Sequence, residues 1–273
     1  MDLESGLAHK LDDLKGAIRG FGRVAVAFSG GVDSTLLLKV CKDVLDDGVI
    51  AVTACSPSIP AREIDAATEF CASEEIRLIK VETHEFEIPG FIDNPPNRCY
   101  LCKREILSRL VEAAKSEGFG VLVEGSNADD VLDYRPGSKA VSELGVKSPL
   151  QEAGLTKAEV RELARSYGLK VWDKPAFACL NTRFAFGDRI DPRRLAAVDA
   201  VEGALIDLGF ALVRARVDGA TVRIELDPAE IARATCDSIR PRIVEACKAA
   251  GFEHVAIDLE GYRRGSMNAL VGD

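Results

Sequence analysis

An α/β fold, a doubly wound parallel sheet with a smaller α+β C-terminal domain after it, is predicted for this 273-residue chain by three observations. Apolar strand-like runs alternate with helical patterns through the first half, a rhythm that builds parallel sheets with helices on both faces. A glycine-rich turn joins a buried strand to a helix N-terminus, the place where such sheets bind ligands. An irregular stretch punctuated by Pro and Gly, 174–192, then precedes a helix, a hairpin and further short elements. Three parts are expected: a nucleotide-binding domain over 1–174, a hinge loop over 175–192 that carries Cys179, and a C-terminal substrate-binding domain over 193–273.

The elements follow in order. Strands are expected at 23–28, 49–54, 76–81 and 120–124, with helices at 33–45, 61–73 and 103–117. The amphipathic stretch 156–167 has Thr156 as its cap, Glu159 at the capping-box position and Gly168 as its stop. A helix at 193–208 leads into a hairpin, 211–217 and 221–226, that turns at Asp218-Gly219. Helical segments run to 250, and a last strand spans 255–259.

Composition narrows the function classes. Forty-four acidic against thirty-five basic side chains give a net charge of −9, which opposes nonspecific adhesion to nucleic acid or anionic lipid and favours a small-molecule substrate. No apolar run approaches membrane-spanning length, and the polar start Met1-Asp2-Leu3-Glu4-Ser5 lacks the regions of a signal peptide, so the cytoplasm is the expected location. Of the eight cysteines, Cys41, Cys55, Cys71, Cys236 and Cys247 sit in apolar patterns and are read as small buried hydrophobes. His9, His84 and His254 are scattered and read as structural.

Ser29-Gly30-Gly31-Val32-Asp33-Ser34 is an anion cradle. Its glycines let backbone approach an oxyanion, the N–H groups of the following helical turn point at it, and Ser29 and Ser34 add hydroxyls. A Walker loop would need a longer glycine spacing and a Lys before the Ser or Thr. Asp33 beside a phosphate is repulsive unless a cation such as Mg²⁺ lies between them. The plain alternative is a glycine-rich turn capped by Asp33 or Ser34. A second loop, Glu124-Gly125-Ser126-Asn127-Ala128-Asp129-Asp130, also follows a strand, and taken alone it reads as well as a solvated turn or helix cap.

The first string resembles the PP-loop, SGGxDS, of the ATP pyrophosphatases, and the second resembles the G[ST]NxDD segment of a subset of them. That resemblance implies the adenine nucleotide alpha hydrolase fold, with ATP held by Ala27, Ser29, Gly30, Gly31, Asp33, Ser34, Gly125, Asn127 and Asp129, and Mg²⁺ by Asp33. Lys174-Pro175-Ala176-Phe177-Ala178-Cys179-Leu180-Asn181-Thr182-Arg183 sharpens it. This stretch looks like the KPxxACLxxR segment of the LarE-type sulfur transferases, which act on pyridinium-3,5-biscarboxylic acid mononucleotide. Further marks recur in order: Asn97-Arg98-Cys99-Tyr100-Leu101-Cys102-Lys103, Asp133-Tyr134-Arg135-Pro136-Gly137, Val213-Arg214-Ala215-Arg216 and Gly261-Tyr262-Arg263-Arg264-Gly265-Ser266-Met267.

A carboxylate is a poor acyl donor because its leaving group would be oxide; transfer of AMP onto it creates a mixed anhydride that a sulfur nucleophile can open. Cys179, in a loop near Lys174 and Arg183, is the candidate nucleophile. In members of the family the cysteine in this place gives up its own sulfur and is left as dehydroalanine. Here Cys99, Cys102 and Cys179 would instead supply three thiolates for a [4Fe-4S] cluster with one iron open to external sulfide, and this is the favoured reading. A redox CxxC, a zinc site or two helix-start cysteines are the competing ones.

Residues 188–273 carry eleven Arg and one Lys, against eleven Arg and twelve Lys before them. Arg offers a planar fork to phosphate and carboxylate. Arg214 and Arg216, alternating onto one face of a strand, and Arg263 could hold an anionic mononucleotide, whereas Arg193, Arg194, Arg240 and Arg242 read as a salt-bridged surface. In the family the matched arginines contact the substrate phosphate, and Glu202 falls where an acidic site residue is expected. The expected protein is thus an ATP-dependent sulfur transferase of nickel-pincer cofactor synthesis, with a sulfide donor as partner, a homo-oligomeric state and no nucleic acid or membrane partner. The alternative is a PP-loop enzyme that thiolates tRNA, which the charge and the lack of further CxxC pairs oppose. A nonenzymatic nucleotide-binding protein would leave the three cysteines and the arginines without a role.

Overall fold

The computed structural model describes residues 3–131, 136–175 and 179–263. Three motif pieces lie outside them: Asp133-Tyr134-Arg135, residues 176–178 of the cysteine segment, and Arg264-Gly265-Ser266-Met267. In chain order the elements are α1 (Leu3–Phe21), β1 (Val24–Ala27), α2 (Val32–Leu45), β2 (Val49–Cys55), α3 (Ala61–Ser73), β3 (Leu78–Glu82), α4 (Arg98–Ser116), β4 (Val121–Val123), α5 (Pro136–Glu143), α6 (Pro149–Glu152) and α7 (Lys157–Ser166). Then come α8 (Pro192–Asp207), β5 (Val213–Asp218), β6 (Thr221–Leu226), α9 (Ile231–Thr235), α10 (Arg240–Ala249) and β7 (His254–Ile257).

β1 through β4 form one sheet in the order β3-β2-β1-β4, with every pairing parallel. Parallel strands need helical crossovers on both faces, so central strands lose their polar side: β1 is Val-Ala-Val-Ala, and β2 is apolar but for Thr53, whose hydroxyl donates to Phe28 O at 2.5 Å. α2 carries Leu36, Leu37 and Leu38, all fully buried, into the core beside β1. α1, which no sequence expectation covered, adds Leu14 and Ile18 to the same core. Its apolar stripe of Leu7, Leu11, Leu14 and Ile18 has helical spacing and was readable. α7 is capped as expected: Thr156 Oγ1 accepts from Glu159 N while Glu159 accepts from Thr156 N, and Gly168 follows the helix at φ +69°.

α4 starts at Arg98, five residues before the expected 103, because its first turn has no apolar periodicity to announce it. The Cys99–Cys102 pair is therefore helical.

The described residues divide into two compact units. The first gathers 3–56, 63–87 and 97–175; the second gathers 57–62, 88–96 and 179–263. In the second, Asp191 caps α8 by accepting from Arg193 N at 2.8 Å, with Pro192 at the first helical position. β5 and β6 form the expected antiparallel hairpin, Val213 opposite Leu226, around Gly219 at φ +54°. β7 adds to β6 in parallel. Two stretches from earlier in the chain complete this unit: Leu180 N donates to Ser58 O at 2.9 Å, and Ile190 N to Ile92 O at 2.8 Å.

Two expectations need correction. Cys41, Cys71 and Cys247 are buried, but Cys55 is half-buried and Cys236 is exposed. Cys236 caps the short α9 ahead of Asp237-Ser238, a polar break instead of an apolar stripe, and a hydrogen bond with Ser238 holds its thiol below the usual range. His9, His84 and His254 are all exposed. Among the described residues no helix is long and apolar enough to cross a membrane.

Candidate active site

Strand order reverses direction between β1 and β4: the chain moves outward through β2 and β3, then returns to pair β4 with β1. A crevice opens beyond the carboxyl ends of strands at such a switch point, and both glycine-containing loops leave from it. After β1, Gly30 holds φ +70°, a conformation that costs L-residues with a side chain about 1–2 kcal/mol. Gly31 is the N-cap of α2 and offers no side-chain cap, and neither Asp33 nor Ser34 caps the helix in its place. The N-terminus of this 14-residue helix thus carries no side-chain cap, and such an end favours negative charge. The two hydroxyls line the turn, Ser29 Oγ lying 3.1 Å from Ser34 Oγ, and Ser34 Oγ donating to Gly31 O at 3.1 Å. Lys174 braces the loop from outside: its ammonium donates to Glu63 at 2.6 Å and to Gly30 O at 3.2 Å.

After β4, Gly125 packs directly on the first loop. A Cβ there would lie 2.9 Å from Ser34 N and 3.2 Å from Asp33 C, so only glycine permits the approach. Asn127 Nδ2 donates to Asp33 Oδ1 at 3.1 Å, and Asp129 accepts from Lys157 N at 2.9 Å. The Lys157 ammonium pairs with Asp33, a link that no motif signalled because Lys157 lies on a separate element, α7. Glu124 is buried beneath the second loop, where it accepts from Ser148 Oγ at 2.6 Å, Ser126 N at 3.1 Å and Lys103 at 3.3 Å. Burial pushes its carboxyl up, but the Lys103 charge and the hydrogen bonds outweigh that and leave it below the ordinary range. Ala27 ends β1, half-buried, opposite Val52. The two loops that carry the expected nucleotide residues therefore meet beyond the carboxyl ends of β1 and β4.

Cys99 and Cys102 lie near the start of α4 at i, i+3, which puts them on one helix face, Cys99 exposed and Cys102 half-buried. Cys179, half-buried, belongs to the second unit and precedes a 3-10 turn, Leu180–Arg183. Thr182 Oγ1, at 2.8 Å, and Arg183 Nη1, at 3.2 Å, both donate to Cys179 O. Among the described residues no three His, Cys, Asp or Glu side chains gather to hold a metal ion.

Three arginines of the second unit, Arg183, Arg214 and Arg216, are buried. Arg183 is fully enclosed and grips Glu202 with both forks, Nε to Oε1 at 2.7 Å and Nη2 to Oε2 at 2.8 Å. Glu202 also accepts from Ala215 N at 2.8 Å, tying α8 to β5. Arg216 donates to Glu225 Oε2 through Nε and Nη2 at 3.0 and 2.9 Å, and to Thr182 O at 2.7 Å. Arg214 lies on the same strand face, its guanidinium 5.0 Å from the Tyr262 ring centre. Burial, then the neighbouring Arg183 charge, depress its pKa. Arg263 is mostly exposed and pairs with Glu260. Glu225 went unremarked in the sequence, although a hairpin turning at 218–219 sets it opposite Arg214.

A glycine-rich phosphate turn at a sheet's switch point, with a second strand-end loop closing on its aspartate, defines a PP-loop ATP pyrophosphatase. Argininosuccinate synthase of Pyrococcus furiosus, itself of this class, is 28% identical over 172 residues, 56% of this chain and 40% of that protein. No family model matches the chain. Two relatives extend over nearly its whole length: an uncharacterised protein of Synechocystis, 39% identical over 265 residues (97% of this chain, 99% of the relative), and the pyridinium-3,5-bisthiocarboxylic acid mononucleotide synthase of Lactiplantibacillus plantarum, 39% identical over 264 residues (96% and 95%). The chain belongs to this family, the LarE-type ATP-dependent sulfur transferases.

Proposed function

We propose that the protein adenylylates a carboxylate of pyridinium-3,5-biscarboxylic acid mononucleotide and converts it to a thiocarboxylate, a step in building a nickel-pincer nucleotide. The observation that carries this reading is the meeting of the two loops on Asp33 at the β1/β4 switch point, in a chain of this family. The substrate carboxylate oxygen attacks the α-phosphorus of ATP and pyrophosphate leaves. A sulfur nucleophile then attacks the acyl carbon and AMP departs, carrying away the carboxylate oxygen.

Each group of residues has a part in this. Ser29, Gly30, Gly31, Ser34 and the first turn of α2 bind phosphate oxygens, and Gly125, Asn127 and Asp129 fix the loop geometry for in-line attack. Mg²⁺, for which Asp33 is the ligand, would offset charge on the departing pyrophosphate. Arg214, Arg216 and Arg263 orient the mononucleotide phosphate, so the first unit activates and the second captures. Arg183 and Glu202 hold the Cys179 turn and β5 in register. Cys99, Cys102 and Cys179 are the sulfur machinery, as thiolate ligands of a [4Fe-4S] cluster that would present external sulfide, or with Cys179 as the sulfur donor itself. The reducing cytoplasm is the setting that suits such thiols.

The test is incubation of anaerobically purified protein with ATP, Mg²⁺, added sulfide and the biscarboxylate mononucleotide. Equimolar AMP, pyrophosphate and thiocarboxylate are expected; ATP hydrolysis without a thiocarboxylate product overturns the reading.

A further inference from the structure

The ion pair between Lys157 and Asp33 joins the first residue of α7 to the carboxylate that the proposed mechanism reserves for a divalent cation. Its surroundings show that this contact is built. Lys157 is fixed at the N1 position by the Thr156–Glu159 capping box. Glu159 is anchored in turn by Lys10 of α1 through contacts of 2.7 and 2.8 Å, and Asp129 of the second loop accepts from the Lys157 backbone N–H at 2.9 Å. Three separate elements thus converge to place one ammonium on Asp33, whose other oxygen accepts from Asn127 at 3.1 Å. Both partners remain partly accessible, with 32% and 21% of their side chains exposed, so a competing cation can reach the carboxylate.

We infer that Lys157 is the resident counter-ion of Asp33, a positioning residue that holds the carboxylate oriented and neutralised in the nucleotide-free enzyme and yields it to the divalent cation that accompanies ATP. An unpaired carboxylate at the mouth of an anion cradle would repel triphosphate, and one already bound to metal without nucleotide would hold free pyrophosphate as product. A lysine avoids both states. Its ammonium is monovalent and flexible, so it neutralises the site weakly enough to be displaced, while its backbone stays tethered to Asp129. The exchange moves no covalent bond: one cation leaves Asp33 as another arrives.

This inference rests on Asp33 being the metal ligand, and the experiment separates the two claims. Mn²⁺ serves as the probe, its binding to the nucleotide-free protein followed by electron paramagnetic resonance, with circular dichroism to verify the fold. Lys157→Met keeps the side-chain length and removes the charge, and it should bind Mn²⁺ roughly fivefold more tightly than the native protein, the scale of a partly exposed ion pair. Lys157→Arg restores the charge and should return the affinity toward native. Asp33→Asn should abolish the site. Folded Lys157→Met with unchanged Mn²⁺ affinity overturns the role of Lys157, whereas folded Asp33→Asn with unchanged affinity overturns Asp33 as ligand and the inference with it. If Lys157→Met unfolds, Lys157→Gln carries the same expectation.

Discussion

Arg183 and Glu202 form a bidentate ion pair with almost no solvent access, 0% and 3% exposed, and the same guanidinium holds the Cys179 carbonyl at 3.2 Å. Removing one partner strands a charge in the interior, at a cost of about 3–5 kcal/mol. Glu202→Ala should therefore destabilise the protein strongly in urea unfolding. Arg183→Lys keeps the charge but loses the fork, and should lose stability to a smaller degree while sulfur transfer falls.

On the proposed mechanism the two loops that meet at Asp33 separate activation from folding. Asp33→Ala should abolish pyrophosphate release with a native circular dichroism spectrum, because its side chain is partly exposed and supports no core packing. Gly125→Ala should weaken ATP binding, measured by calorimetry, since its Cβ would meet the Ser34 backbone at 2.9 Å and push the loops apart. Native ATP affinity in that variant would contradict the closure described.

In the proposed mechanism substrate capture falls to the β5 arginines. Replacing Arg214 by Ala should weaken mononucleotide binding by roughly 1.5–3 kcal/mol, the worth of a charge-assisted contact, and leave ATP binding intact. Equal loss of both ligands would place the defect elsewhere.

Single Ala variants decide the sulfur chemistry. If Cys99, Cys102 and Cys179 share a cluster, each variant should lose iron, acid-labile sulfide and sulfur transfer together while adenylylation persists. If Cys179 alone is sacrificed, Cys99→Ala and Cys102→Ala should complete one turnover, and the intact mass should fall by about 34 Da, one H₂S.

Acid should loosen the first unit. The Glu124 and Glu159 carboxyls both lie below their ordinary range: burial pushes each up, but the Lys103 charge with serine hydrogen bonds at Glu124, and the Lys10 and Thr156 contacts at Glu159, outweigh it. A folded pKa below the unfolded one means that the unfolded chain binds protons more readily. The stability these groups contribute is present above the unfolded value of about 4.3 and is lost as pH falls through the lower folded values. Glu159→Gln should flatten the acid limb of a stability-against-pH curve.

By itself the sequence determined what depends on neighbours along the chain. The alternation of apolar runs specified the parallel sheet, the capping box placed the start of α7, the turn at Asp218-Gly219 set the hairpin, and the strings around Asp33, Asn127 and Cys179 pointed to the family. Each is local, with its physical cause inside a few residues. The polar start of α4 concealed the helical placement of Cys99, and the polar break after α9 exposed Cys236, two cases where apolar context misled. Only the tertiary structure decided which charges meet. Lys157 reaches Asp33 across 124 positions, Arg183 reaches Glu202 across 19, and Glu63 reaches Lys174 across 111. An ion pair depends on where packed elements leave two side-chain ends in space, and packing of strands and helices, not spacing along the chain, sets that distance.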